Sequence, residues 1–353
     1  MKQGRTLVEL AQEVERQAQL KHDFKIKTSA LTLFNGTDIG FETSQGPTLF
    51  EVTEHTHNQI GTRLGIPAKF YDQLRESYPD MLDFNVNELF RRKPETRMIR
   101  TLEGKARAFL SDRYARRDNF DLMKYVLPDL LEAGTSIGLG LASCEITERK
   151  LYLKFVTPKL EGEVRVGDPV RAGGIISNSE IGEGYVTAYP FVERLVCENG
   201  MVLEEYGQRK AHVGKRITAD EDAMEIFSDE TIQADDHAFW LKVRDSIRTV
   251  LKPEMFQKLL SKLKDSTSIK IDGNPENVVE ELSNRYVLGN EERGAVLRNL
   301  IEGGIGYTKW GLANAVTALA GETANYDRAT ELEKLGGTII NLDPKSWISL
   351  AAA

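Results

Sequence analysis

Residues 100–119 read RTLEGKARAFLSDRYARRDN. Two runs, RMIRTL and KARAFLS, flank the dipeptide Glu103-Gly104. A two-residue link with glycine at its second position suits a tight β-hairpin, because such turns need positive φ. A helix should follow. Asp118 is a good N-cap, and Asp121 places negative charge in the first turn, where the helix dipole favours it. Leu122, Met123, Val126, Leu127 and Leu130 form its apolar stripe, and Pro128 should kink or split it.

Four further strand-like runs follow: SIGLGLASCEI, ERKLYLKFVTP, VRAGGIISNSEI and GYVTAYPFVERLVC. Turn residues separate them, so an antiparallel meander with a helix against it is expected, an α+β arrangement. Cys197-Glu-Asn-Gly200 reads as a tight turn with a small buried cysteine, its positive φ supplied by Asn-Gly. N-terminal to the hairpin lie an amphipathic helix near 5–20, short strands within 24–34 and 48–53, and a helical stretch over 57–77 that Pro67 punctuates. After Gly207 the chain turns helical, with Phe239, Trp240, Val243 and Ile247 on a buried stripe. Helices are also expected near 277–288, 294–303, 309–321 and 326–336, with Gly321 and Gly336 as C-cap residues. The expected organisation is a mixed segment over 1–95, an antiparallel sheet core backed by helices over 96–216, and a mainly helical region over 217–353.

The 353 residues carry a net charge of -8. Residues 91–117 oppose that balance, with ten cations against Glu95, Glu103 and Asp112, a net +7 that leaves -15 for the remainder. Bulk charge argues against a nucleic-acid protein; only a local concentration of this kind reverses that reading. No apolar run approaches the roughly 18 residues of a membrane span. The amphipathic N-terminus is not a signal peptide. Two widely spaced cysteines fit a reducing compartment.

In a regular two-residue hairpin, Leu102 faces Lys105, Arg100 faces Arg107 and Met98 faces Phe109, all on one face. Like charges directly opposite destabilise a ladder, and a polyanion laid across the face would relieve them. Arginine pairs bidentately with phosphate, and aromatic rings stack on bases. The residues expected to contact nucleic acid are therefore Arg97, Arg100, Lys105, Arg107, Arg113, Arg116 and Arg117. Phe109 and Tyr114 are the stacking candidates. Arg209, Lys210, His212, Lys215 and Arg216 form a second lip. The alternative is a solvated face whose arginines pair with acids elsewhere.

Other chemistry is sparse. In EVTEHTH, His55 and His57 could share a strand face and bind a metal, but they read better as a polar strand end before a helix. Glu180, Glu183, Glu193 and Glu198 lie near expected strand ends, and no spacing selects a carboxylate pair. The chain has no P-loop, nucleophile elbow, HExxH or dinucleotide fingerprint.

Several stretches carry a resemblance: GKARAFLSDRYARRDN, ISNSEIGEG, RLVCENGMV followed by AHVG, and WGLANAVTALAG with YDRATELEKLGG. Over about 90–340 the chain resembles the phage- and plasmid-encoded bacterial proteins of domain-of-unknown-function family 932. That resemblance implies a mobile-element origin and a bacterial cytoplasm, with no settled activity. A basic hairpin sheet backed by a helix is also similar, more loosely, to phage single-strand annealing recombinases, which are oligomeric and need no nucleotide cofactor. The expectation is a non-enzymatic protein that binds single-stranded DNA or RNA, specifically an annealing protein of recombination or replication. It would form homo-oligomers, need no cofactor or metal, and recruit a host or phage replication or repair protein. A metal-dependent enzyme of nucleic-acid or nucleotide metabolism and a host-takeover factor docking on an acidic host protein are the alternatives.

Overall fold

The computed structural model describes residues 1–184, 186–210 and 229–352. The chain begins with α1 (Leu7–Leu20), whose first turn is closed by a reciprocal Thr6/Glu9 capping box. Next come β1 (Lys21–Lys27), β2 (Thr32–Phe34), β3 (Asp38–Thr43), β4 (Gly46–Val52), α2 (Glu54–Leu64), α3 (Ala68–Ser77) and α4 (Pro79–Arg92). The hairpin is β5 (Thr96–Leu102) and β6 (Lys105–Ser111), followed by α5 (Asn119–Ile137). The meander is β7 (Gly140–Ile146), β8 (Leu151–Arg165), β9 (Asp168–Asn178), β10 (Val186–Arg194) and β11 (Asn199–Val202), with the short β12 (Gln208–Lys210). Seven helices complete the described chain: α6 (Asp229–Val250), α7 (Pro253–Ser266), α8 (Pro275–Tyr286), α9 (Asn290–Glu302), α10 (Lys309–Glu322), α11 (Tyr326–Asn341) and α12 (Pro344–Ala351). The α+β class, with largely antiparallel sheets backed by helices and a helical C-terminal region, is as expected; β4 and β6 pair in parallel.

The hairpin does not belong to the meander. It lies inside a first six-stranded sheet of order β1-β5-β6-β4-β3-β2, paired with β1 on one side and β4 on the other. The meander forms a second sheet of order β11-β10-β9-β8-β7, with β12 on β10. A boundary at residue 95 therefore cuts through the first sheet. Sequence pattern showed the hairpin but not its neighbours, because the paired residues of β1 and β5 are 69 to 81 positions apart along the chain.

The register of the hairpin also differs from the regular one. Leu102 faces Lys105 and Thr101 faces Ala106, but Arg100 faces Ala108 and Ile99 faces Phe109. Arg107 is the extra residue of a β-bulge. It is not the cross-strand partner of Arg100, and Phe109 is not the partner of Met98. The bulge reverses which residues of β6 face which side. Ala106 and Phe109 pack with Ile99, Phe24 and Ile26 under α2–α4. Ala108 and Leu110 pack with Met98 against Ile181 and Tyr114.

The second sheet is covered on both faces. Leu151, Leu153 and Phe155 of β8 point into a core shared with α1, α5 and α6. Alternate residues turn the other way: Tyr152 packs with Tyr326 of α11, and Lys154 meets Glu333 of the same helix. Helices α7–α12 build the largest core against Val164, Val170, Val192 and Met201.

Several local expectations are corrected. Gly321 and Gly336 lie inside α10 and α11 rather than at their ends. A Cβ on Gly336 would stand 2.2 Å from Thr317 Cγ2, so the glycine serves close helix packing. Pro128 lies within α5 and does not split it; the helix runs on to a left-handed C-cap at Gly138. The stretch over 57–77 is broken where Pro67 was expected to punctuate it: α2 ends before Gly65, whose φ is +73°, and Pro67 is the N-cap of α3. The positive φ in the link from β10 to β11 falls on Glu198, Asn199-Gly200 already belongs to β11, and Cys197 is exposed.

Candidate nucleic-acid interface

The arginines of the hairpin converge, but inward. Arg100 is 1% exposed. Its guanidinium grips Asp23 through Nε (2.8 Å) and Nη2 (3.2 Å), Asp118 through Nη2 (2.7 Å) and the Glu180 carbonyl through Nη1 (2.9 Å). Burial works against that charge, but Asp118, Asp23 and Glu180 outweigh it and hold the guanidinium firmly protonated. Arg107 pairs with Glu180 Oε2. Lys21 Nζ lies 2.6 Å from Asp118 Oδ2 and 3.3 Å from Glu180 Oε1, and Arg116 Nε lies 3.4 Å from Asp23. Four cations thus meet three carboxylates where the first sheet abuts the 179–184 loop and the start of α5. Burial alone would raise the Asp118 pKa, yet Arg100 and Lys21 bring it down to about 2.

The remaining expected contacts separate into buried and exposed residues. Phe109 is buried and stacks on Phe90, with ring centroids 5.7 Å apart, so it is no platform for a base in this structure. Arg97 lies 4.8 Å above the Phe109 ring. Arg117 is buried, 3.7 Å over the Phe239 ring and 3.9 Å from Asp236. The Tyr114 hydroxyl donates to the Ser179 carbonyl at 3.0 Å. Lys105, Arg113 and Arg116 are exposed. Arg209 and Lys210 sit on β12, whose backbone pairs with Val186–Ala188 of β10, at the sheet end bearing the 179–184 loop. His212, Lys215 and Arg216 lie outside the described residues.

Two cations on β1 escaped sequence reading. Lys25 and Lys27 are exposed and share a strand face with Asp23, as their spacing of two requires. Lys27 pairs with Thr96, and Arg97 pairs with Ser111. Register therefore brings Lys25 and Lys27 to the open end of the hairpin, where Lys93 shortly precedes β5 and Arg113 shortly follows β6; Arg116 instead reaches back to Asp23 in the ionic cluster. The alternation of KHDFKIK was the available signal; what hid it was the unknown pairing of β1 with β5.

A cleft of about 600 Å³ opens at the other end, beside Lys105 and Arg107. Its wall carries Arg5, Arg16 and Arg149, but also Glu13, Glu54, Glu103, Glu148 and Glu183. Arg16 pairs with Glu13 and Glu103, and Arg149 with Glu183. That balance disfavours a polyanion. His55 and His57 both lie on α2, so they do not share a strand face. His55 Nε2 meets the Ile181 carbonyl at 2.9 Å, and His57 Nδ1 meets the Tyr71 hydroxyl at 3.0 Å. Among the described residues, no three His, Cys, Asp or Glu side chains are placed to share a metal ion. No helix among them is long and apolar enough to cross a membrane.

These features define an α+β protein of two sheets joined by a buried ionic cluster, with a basic edge on the first. No protein-family model, no curated protein and no solved structure matches the chain.

Proposed function

We propose that the protein binds single-stranded nucleic acid through the open end of the hairpin, without catalysing a reaction on it. One observation carries the reading: Lys25, Lys27, Lys93 and Arg113 gather as exposed cations at the open end of the hairpin in a chain whose net charge is -8. Of the nearby acids, Glu95 is engaged by Arg63 and Glu88 by Arg91 and Arg92, while Asp112 stands 4.0 Å from Arg113. This surface replaces the hairpin face first expected, whose Arg100 and Phe109 are covered. An annealing role, assembly into homo-oligomers and a mobile-element origin in a bacterial cytoplasm belong to the same proposal. The origin and compartment rest on the motif resemblance alone, and the annealing role and assembly on the looser similarity to single-strand annealing recombinases.

The test is binding of the full chain to labelled single-stranded DNA, duplex DNA and single-stranded RNA at two salt concentrations. Single-strand affinity should fall with salt. Each neutralised phosphate contributes about -0.7 to the slope of log K against log salt, so Lys27→Glu/Lys93→Glu/Arg113→Glu should flatten that slope by roughly 2. Salt-insensitive or absent binding by the wild type defeats the proposal. Unchanged binding by the triple variant places the interface elsewhere.

A further inference from the structure

The cleft beside Lys105 and Arg107 lies at the turn end of the hairpin, between the first sheet and the turn that joins β7 to β8. Its volume, about 600 Å³, falls within the range of about 300–1,000 Å³ usual for small-ligand sites. Its charges balance, and most are already matched. Arg16 meets Glu13 and Glu103, Arg149 meets Glu183, and Glu54 turns to Arg75 at 2.7 Å. Arg5 meets Glu145 at 2.6 Å, and Lys105 stands 3.9 Å from Glu51. The pairing leaves over one pole of each sign.

The positive pole is Arg107, whose side chain is 12% exposed and lines the cleft. Nη2 is spent on Glu180, and Nε is enclosed without a partner. Nη1 also has no partner among the described residues, but it is not enclosed. The start of α2 stands beside it. The carbonyl of Ala106, the preceding residue, accepts the Thr53 N–H at 3.1 Å and the Thr56 hydroxyl at 2.8 Å. Thr53, Glu54 and His55 line the same cleft. The Thr56 N–H is capped by Thr53 Oγ1 at 3.3 Å, whereas the amides of Glu54 and His55 have no acceptor within the helix. A guanidinium edge beside first-turn amides fits a carboxylate.

The negative pole is Glu148, in the turn between β7 and β8. It is exposed and lines the cleft, and its side chain makes no hydrogen bond or ion pair among the described residues. Of the five carboxylates on this wall it alone is unmatched. We propose that the cleft binds a short peptide as a zwitterion, its terminal carboxylate on Arg107 and the α2 amides and its terminal ammonium on Glu148. Gln17, Asn58 and Thr147, also on the wall, can pair with peptide amides. The size of the cleft and these neutral side chains favour a peptide over a single amino acid. The site is separate from the basic surface proposed for nucleic acid and does not depend on it.

The experiment titrates the full chain with glycine oligomers of two to four residues, which span up to about 14 Å when extended, and reads dissociation constants by ligand-detected NMR. The tightest oligomer is then compared with its N-acetyl and C-terminal amide forms, each of which lacks one charge. Each block should weaken binding about ten-fold, or about 1.4 kcal/mol. Glu148→Gln, in an exposed turn outside the ion pairs of the cleft, should weaken the free oligomer by the same factor and leave the N-acetyl form unchanged. Absence of binding by all of the oligomers, or equal affinity for free and blocked forms, overturns the proposal. So does a folded Glu148→Gln that binds the free oligomer as the wild type does. The blocked forms decide alone if that variant does not fold.

Discussion

Glu180 Oε1 accepts the backbone N–H of Asn119, the first residue of α5, at 2.7 Å. Asp118 occupies the N-cap position but makes no side-chain cap hydrogen bond. Its two oxygens are held by Arg100 and Lys21. The helix is thus capped from another segment of the chain, by the same carboxylate that neutralises Arg107. One acid at the tip of β9 joins the hairpin, the helix and the second sheet.

Removing that acid should be severe. Glu180→Ala strips the cap, worth about 1 kcal/mol, and leaves Arg107 and Lys21 facing each other in a largely buried site. Breaking one partner of such a cluster costs about 3–5 kcal/mol, which urea unfolding would register as a lower midpoint. Glu180→Gln keeps an acceptor for the Asn119 amide and should lose less. Equal losses in the two variants would show that charge, not the cap, dominates.

Asp118 should shape stability in acid. Its pKa is depressed from the ordinary 3.8 to about 2, so the folded state binds its proton less readily than the unfolded chain. The resulting stabilisation, about 2 kcal/mol, is fully present above pH 4 and is lost as pH falls through about 2. Asp118→Asn should flatten the stability curve over that window. An unchanged curve would remove Asp118 from the acid response.

His57 should act higher on the pH scale. Burial first, and the nearby Arg75 charge second, push its pKa down from 6.5 to about 4. The unfolded chain takes up a proton below pH 6.5 that the folded ring resists. Its contribution is present above pH 6.5, declines as pH falls and levels off below about pH 4, a change of up to about 3 kcal/mol. His57→Gln should reduce the slope of stability between pH 6.5 and 4, measured by urea titration at fixed pH steps.

Two glycine substitutions should move stability in opposite directions. A Cβ on Gly337 of α11 would stand 1.9 Å from the Val202 carbonyl oxygen, so Gly337→Ala must push α11 off β11 and cost about 1–3 kcal/mol or more. Gly294 in α9 has no atom within 4 Å of the equivalent position. Gly294→Ala should gain about 0.5–1 kcal/mol from helix propensity alone. Paired thermal melts would check both.

What was legible in the sequence was local. The turn at Glu103-Gly104 appears with φ of +51° and +78°. The position of Asp118 at the start of α5 and the amphipathic helices of the C-terminal region also followed from nearby residues, although the cap itself comes from Glu180. What was hidden depended on distant ones. The bulge at Arg107 follows from no residue of the hairpin itself; Gln59 Oε1 of α2 accepts the Phe109 N–H at 2.7 Å. The burial of Arg100 depends on Asp23 and Glu180, 77 and 80 residues away. Charge counting identified the basic segment correctly, but which cations face solvent is decided by those remote acids. The exposed end of the sheet needed the β1 pairing before it could be seen.

The bulge has a consequence for how this gene segment can change. Because it shifts the alternation midway, β6 is a party wall: Ala106 and Phe109 line the chamber under α2–α4, while Ala108 and Leu110 line the one against Ile181. A replacement at Arg107 keeps the residue count on which that division depends, although it removes a cation from Glu180. Deleting Arg107 would not, since the regular pleat would return and every later residue of the strand would turn to the wrong room. At this position, the length of the strand is more tightly constrained than its chemistry.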